Sequence, residues 1–477
     1  MALLVTLAAS RPGFTASLQA LAHAWAKMLP DIVFVQTPAV QPGELEDRFP
    51  KGSRLARLET RPAHRVVEDL SPGFFAAADP AVSFDGTKIF FSGQKSAHAR
   101  WQIWEMLADG SDLRQITQCS ANCLGPVLLP RGRIAFTKIV GRDSRRSSAV
   151  YVSREDGADA HPITFGPGNF QVETVLRNGR LVVSADDPLF PHGLAEGSRA
   201  LYTINPDGSE LRLLRRFRHR GLSRTDAEEL DNGAVLFVER PVATGRKGDS
   251  QLAWIRRGRL HSSVLTPSQA VYWSAHEFGS DSLLAATQDP SGATDDRKLD
   301  LYTFNLADKA LGELIYRDPK LSSLQAVPLA PEPVPRTYWS ILHPAMITGR
   351  ILCLNAYLSA DVPDGRFTTP IAKVRIITLD QPKDRERTLG DAPVEKDGSF
   401  YLRVPADRPI RFELLGANGN VIHAQRSWIW ARPGEDRACL GCHEDPALTP
   451  ADHWPLAARR NSGPTPVGLP ILPQPAH

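Results

Sequence analysis

Cys439-Leu440-Gly441-Cys442-His443 is the one stretch of this sequence in which residue types and spacing point together to a defined chemistry. Two thiols three residues apart can add to the two vinyl groups of one porphyrin. The histidine that follows is then offered to the iron as an axial ligand. Cys-x-x-Cys-His therefore predicts one covalently held haem c, with Cys439 and Cys442 as the anchors and His443 on the metal. A structural zinc site would need a fourth ligand, and only His453 is near in sequence. A thioredoxin-like Cys-x-x-Cys would need a βαβ setting, whereas this segment follows a β-rich region and is flanked by prolines. His453, ten residues beyond His443, is the nearest candidate for a sixth iron ligand; His343, His423 and Met346 are more distant ones. Nothing identifies a catalytic side chain: the sequence has no Gly-x-Ser-x-Gly elbow, His-Glu-x-x-His pair or phosphate loop.

The other three of the five cysteines read differently. Cys119 and Cys123 can close a tight disulfide in an oxidising compartment or remain two thiols in a reducing one. Cys353 lies in an apolar run and reads as a small buried hydrophobe.

The elements that must position the motif begin with a repeat. Gly86, Gly132, Gly179, Gly233 and Gly279 each sit in a turn that leads into a β-rich run, at spacings of 46, 47, 54 and 46 residues. About 25 residues after each comes a second short strand, in most copies running into Asp-Gly, as at Asp109-Gly110, Asp156-Gly157 and Asp207-Gly208. Four short strands every 40–50 residues or so specify the blade of a β-propeller. Five units are clear, and Ile32 to Glu68 supplies a sixth or closes the ring. A six-bladed propeller over residues 31–327 is expected.

Pro328, Pro331, Pro333 and Pro335 then mark a stiff linker over 328–348. Strands are expected at 351–357, 371–379, 399–404 and 410–415, with another near Val421-Ile422. They predict a small antiparallel β-sandwich over 349–435. The haem segment occupies 436–447. Residues 448–477 form a proline-rich tail, and eight prolines in the last 35 residues predict an extended one. Residues 1–30 read either as the remnant of an export signal or as a helix from Phe14 to Met28. The fold class is thus all-β.

The wording of residues 79–117, Asp-Pro-x-x-Ser-x-Asp-Gly-x-x-Ile and then Asp-Gly-Ser-x-Leu-x-x-Ile-Thr, resembles the TolB-type (PD40) propeller repeat. Residues 391–445 run through Asp397-Gly398-Ser399-Phe400, Arg426-Ser427-Trp428 and Arg432-Pro433-Gly434-Glu435 into Cys439-Leu440-Gly441-Cys442-His443. This order resembles the hydrazine synthase alpha subunit family, in which a TolB-like propeller precedes a β domain ending in Pro-Gly-Glu-x-x-x-Cys-x-x-Cys-His. The resemblance spans about residues 31–445. It implies thioether anchors at Cys439 and Cys442 and the motif histidine at His443. In that family a tyrosine four residues after the histidine ligates the iron and the histidine turns to zinc. Here position 447 is Ala, which implies an ordinary proximal role for His443. A second Cys-x-x-Cys-His, present in the full alpha subunit, does not occur in this sequence, so hydrazine formation from nitric oxide and ammonia is not expected.

With 56 Lys and Arg against 53 Asp and Glu, the net charge of +3 gives no basis for a nucleic-acid partner. No apolar run outside the N-terminus approaches the length of a membrane span. Three functions fit: a periplasmic or secreted monohaem electron-transfer protein with a redox partner, a haem enzyme subunit of hydrazine-synthase type with an open iron position, or a propeller scaffold with an auxiliary haem. Export is expected because haem c attachment and TolB-like propellers both belong outside the cytoplasm.

Overall fold

A computed structural model describes residues 30–40, 47–60, 66–140, 147–186, 198–214, 221–242, 250–256, 258–259, 261–267, 271–279, 281–290, 298–359, 362, 364–380, 385–441 and 454–469. The N-terminal stretch up to Leu29, and with it the signal-or-helix alternative, lies outside the described residues. So do Cys442, His443, Ala447 and His453.

Among the described residues the propeller has six four-stranded antiparallel sheets, five of them meanders of consecutive strands. The second blade shows the pattern: Ala76–Val82, Lys88–Gln94, Gln102–Leu107 and Arg114–Gln115, hydrogen-bonded in sequence order. Its Asp85-Gly86 turn shows why the repeat is written with Asp-Gly. The Asp85 carboxylate accepts from the Ser83 and Thr87 hydroxyls and the Thr87 amide, which holds its pKa down at about 2. Gly86 takes a left-handed φ of 75°. Asp109, Asp156 and Asp207 accept backbone amides two residues on in the same way.

The first blade settles how the ring closes. Ile32–Thr37, Arg54–Leu58 and Val67–Asp69 are joined by Ser322–Pro328, which pairs antiparallel with Ile32–Thr37. Strands from opposite ends of the propeller thus share one sheet, so no edge is left at the seam. All six axial strands carry a β-bulge. The bulged residues include Asp79, Glu173, Asp226 and Gln325, and neighbouring blades lock through them. Asp79 N–H donates to Gln325 Oε1 (3.0 Å), Gln325 Nε2 to Asp79 Oδ1 (2.9 Å), and Asp226 N–H to Glu173 Oε2 (2.7 Å). Arg48 Nη2 reaches Asp79 Oδ1 at 2.9 Å. Burial, with Asp226 beside it, pushes Glu173 up to about 7.

The proline-rich segment after Pro328 is an extended strap across the propeller face that carries the marker turns. Glu332 N–H donates to Phe84 O in the second blade, and Arg336 N–H to Arg177 O in the fourth. A Cβ at Gly86 would lie 2.9 Å from the Ala330 carbonyl carbon, so the strap rests directly on that turn. His276 of the sixth blade holds Glu332 (3.3 Å) and Glu228 (3.0 Å). Burial opposes charge on this ring, yet the two carboxylates outweigh it and raise its pKa to about 10.

The second domain is a two-sheet sandwich. One sheet runs Asp436–Cys439, Thr348–Cys353, Phe400–Pro405, Thr465–Pro466; the other runs Arg385–Pro393, Lys373–Asp380, Ile410–Leu415, Val421–Ala424. Ile351, Cys353, Phe400, Leu402 and Val404 meet Val374, Ile376, Phe412 and Leu414 in its core. Its central pairings are antiparallel, and two short parallel strands are added at the edges of the first sheet.

The tail departs from the extended expectation between Trp454 and Leu469. Leu456 N–H donates to Asp397 Oδ2 (2.8 Å) and Ala457 N–H to Ser399 Oγ (2.9 Å), so the Asp397-Gly398-Ser399 turn captures a 3-10 turn at Leu456–Arg459. Val467 then inserts into the sandwich core, 3% exposed. Pro466 is tolerated because it lies in a two-residue strand at the sheet edge.

Candidate functional site

The chain enters the cysteine motif along Trp430–Cys439, a stretch fixed on both sides. Trp430 is 1% exposed, lies edge-on to Phe165 and Phe170 of the propeller, and donates from Nε1 to Gly208 O (2.9 Å). Arg432 donates to Asp207 O (2.7 Å) in the fourth blade and pairs with Asp407 (2.6 Å) in the sandwich. Arg437 Nη2 donates to Leu211 O at 2.8 Å.

Pro433-Gly434-Glu435 has a structural reason in this geometry. Gly434 adopts a φ of +72°, and a Cβ there would lie 2.9 Å from the Cβ of His343. The buried Glu435 carboxylate accepts Arg432 N–H (2.7 Å) on its own turn and Glu210 N–H (3.0 Å) from the propeller. Burial pushes its pKa up, and those amides with Arg437 pull it back. One side chain thus ties the turn to the propeller.

Asp436–Cys439 then pairs in parallel with Thr348–Cys353, in the register Arg350↔Asp436 through Cys353↔Cys439. Residues in register on parallel neighbours share a face, so Cys439 borders the same core that buries Cys353 at 1% exposure. Cys439 itself is half-buried. Leu354 N–H donates to Cys439 O (2.8 Å), and a Cβ at Gly441 would collide with the Leu358 carbonyl oxygen. The glycine inside Cys-x-x-Cys is therefore required by close backbone approach, and the motif is anchored as far as residue 441. The strand thus fixes Cys439, and Cys442 and His443 follow it in the sequence.

The remaining sequence candidates are dispersed. His343 packs on Gly434, with its N–H on Pro433 O at 3.1 Å. Met346 is 44% exposed. His423 lies on the second sheet with its ring 5.0 Å from that of Phe367. Cys119 and Cys123 form a disulfide. Among the described residues no group of three His, Cys, Asp or Glu is arranged to hold a metal ion. None of their helices is long and apolar enough to cross a membrane.

Residues 368–444, which run from the sandwich through the motif, match the family described as hydrazine synthase alpha subunit middle domain. Hydrazine synthase subunit alpha of Kuenenia stuttgartiensis is 23% identical over 541 aligned positions, covering 86% of this chain. The solved structure of Kuenenia stuttgartiensis hydrazine synthase superposes with a TM-score of 0.78 at 19% identity, over 90% of this chain and 71% of that one. This chain is hydrazine synthase alpha-like. It spans 65% of the length of the curated relative. TolB from Acinetobacter baumannii is more distant, at 14% identity and a TM-score of 0.46 over 67% of this chain and 72% of its own. The shared hydrazine synthase alpha-like fold covers propeller and sandwich together, so the clamp around Trp430, Arg432 and Glu435 lies within the common architecture.

Proposed function

We propose that this chain is a haem-c-carrying subunit of hydrazine-synthase type, exported from the cytoplasm, that performs redox chemistry at its haem in complex with a protein partner docked on the propeller. Cys439 and Cys442 would hold the group covalently, with His443 as its histidine ligand. The observation that carries this reading is the rigid delivery of Cys439. It is the last residue of a strand locked to Thr348–Cys353, preceded by a turn bonded to both domains and followed by Gly441 pressed on Leu358.

Bound there, a haem would supply one-electron chemistry. The chain's own contribution is orientation. Glu435 and Arg432 fix the motif against the fourth blade, and the apolar core beside Cys439 keeps one side of the attachment point dry. The Cys119–Cys123 disulfide supports export, since such bonds persist in oxidising compartments.

A second reading is electron transfer by a six-coordinate haem, in which His453, ten residues beyond His443, would fill the other axial position. Visible spectra of oxidised and reduced protein, with and without carbon monoxide, separate the two. Hydrazine-synthase-type chemistry predicts a carbon monoxide adduct within seconds, and electron transfer predicts an unchanged six-coordinate spectrum.

A further inference from the structure

Where the strap passes the second and third blades it walls a cleft of about 750 Å³. Its floor is cationic, with Lys88, Arg114, Arg131, Arg133 and Arg154 facing Glu155 and Asp156. Three of the five cations are already matched. Arg114 makes two 3.0 Å bonds to Glu105, Lys88 lies between Glu105 (3.3 Å) and Glu155 (3.5 Å), and Arg154 pairs with Asp156 (3.1 Å).

Arg131 and Arg133 form no salt bridge to a described residue. Arg133 is half-buried, and burial together with the neighbouring Arg131 charge pushes its pKa down, against the pull of Asp207. Arg131 is exposed at the edge of the cleft beside the half-buried Arg133; the two like charges repel, and a multiply charged anion between them would relieve that repulsion.

The site is also rigid. Arg131-Gly132 is a hairpin turn in which both residues have positive φ, 67° and 63°, and this fixes the base of Arg131. Its guanidinium stacks on Trp339 of the strap, 4.4 Å from the ring centroid, which leaves the edge of the fork available to accept a ligand. The strap is held in turn: Asn205 Nδ2 donates to Tyr338 Oη (3.1 Å), and Ser340 Oγ to Asp207 Oδ2 (2.6 Å). Volume, two guanidiniums without an ion-pair partner among the described residues, and an exposed indole over one of them suit a small anionic ligand.

We propose that this cleft binds a small, multiply charged oxyanion, a phosphate ester or a polycarboxylate, gripped by Arg131 and Arg133 beneath Trp339. The site is independent of the haem. An occupant would touch both the blades and the strap that leads to the sandwich, and would fasten one to the other.

The test is calorimetric titration of the full-length protein with pyrophosphate and with citrate at constant ionic strength, monitored in parallel by Trp fluorescence. Saturable binding of at least one probe is expected, and which of the two binds more tightly assigns the ligand to the phosphate or the carboxylate class. Arg133→Gln and Arg131→Gln should each weaken it by about tenfold or more, the loss expected for one charge-assisted contact. Trp339→Ala should weaken it less, while Arg212→Gln, on an exposed strand of the fourth blade, should leave it unchanged. A thermal melt of each variant guards against misfolding. The proposal fails if neither probe binds at about 10 mM, if the Arg131→Gln/Arg133→Gln double variant binds as the parent does, or if Arg212→Gln costs as much as Arg133→Gln. Calorimetric binding at this cleft does not require the haem, so haem-free protein should titrate as the parent does.

Discussion

The propeller and the sandwich are both built from four-stranded sheets, yet they are assembled in different ways. Five of the propeller's six sheets use consecutive strands, and only the first needs a distant one, Ser322–Pro328. The first sandwich sheet draws its four strands from residues as far apart as Thr348 and Pro466. The cysteine motif lies at the end of one of these distant strands. A repeat secures each blade by local hairpins, whereas the site depends on strands that are distant in sequence. The propeller should therefore tolerate local damage, and the motif should respond to changes far from itself.

The largest expected effect follows from the contact between the two regions. Trp430→Ala removes a fully buried indole wedged between Phe165 and Phe170 and leaves Gly208 O without its donor. A loss of about 3–5 kcal/mol is expected, read as two separate unfolding transitions in place of a single one. A single transition shifted by less than about 1 kcal/mol would mean that the regions are held together elsewhere.

How much of this was written legibly in the sequence follows the same division. Gly86, Gly132, Gly179 and Gly233 announce the blades because a tight turn leaves a local signature, and each of them takes a positive φ. The all-β class, six blades and the likeness to hydrazine synthase alpha were readable for that reason. Arg385–Pro393 was not, since this edge strand is mostly exposed and shows no apolar alternation. Asp436–Cys439 was not either: four residues pairing in parallel have no hairpin to mark them. The packing of Leu456–Arg459 and Val467 was hidden behind prolines that read as a loose tail. The cleft at Arg131 and Arg133 was invisible for another reason, because charges count as a site only once the strap brings Trp339 over them. The six bulges, including those at Glu173 and Asp226, were equally silent, since a bulge is defined by its partner strand.

A smaller effect is expected inside the motif. Gly441→Ala places a methyl against the Leu358 carbonyl, a backbone atom that cannot swing aside. About 1–3 kcal/mol of local strain is expected. Hydrogen exchange around residues 354–358 should rise in this variant, and unchanged protection there would contradict the close approach.

The smallest effect belongs to the axial ring. Glu173 binds its proton more tightly in the folded chain than in the unfolded one, because burial and Asp226 raise its pKa from 4.5 to about 7. The stabilisation linked to that proton is complete below pH 4.5 and is lost as the pH rises through about 7. Glu173→Gln keeps the acceptor for Asp226 N–H and carries no charge, so the variant should melt a few degrees above the parent at pH 8 and level with it or below at pH 4.5. A parent advantage at pH 8 would show that Glu173 is stabilised as the anion.

Haem retention by the denatured chain is the most direct test of the central claim. Protein purified from an export-competent host should keep its haem through acid-acetone extraction, and a single peptide containing Cys439 and Cys442 should carry it. Cys439→Ser with Cys442→Ser should release the haem on denaturation, while His443→Ala should retain it with an altered axial-ligand spectrum. If the denatured parent gives up its haem to the solvent, or the isolated protein contains zinc and no haem, the account of this site is wrong.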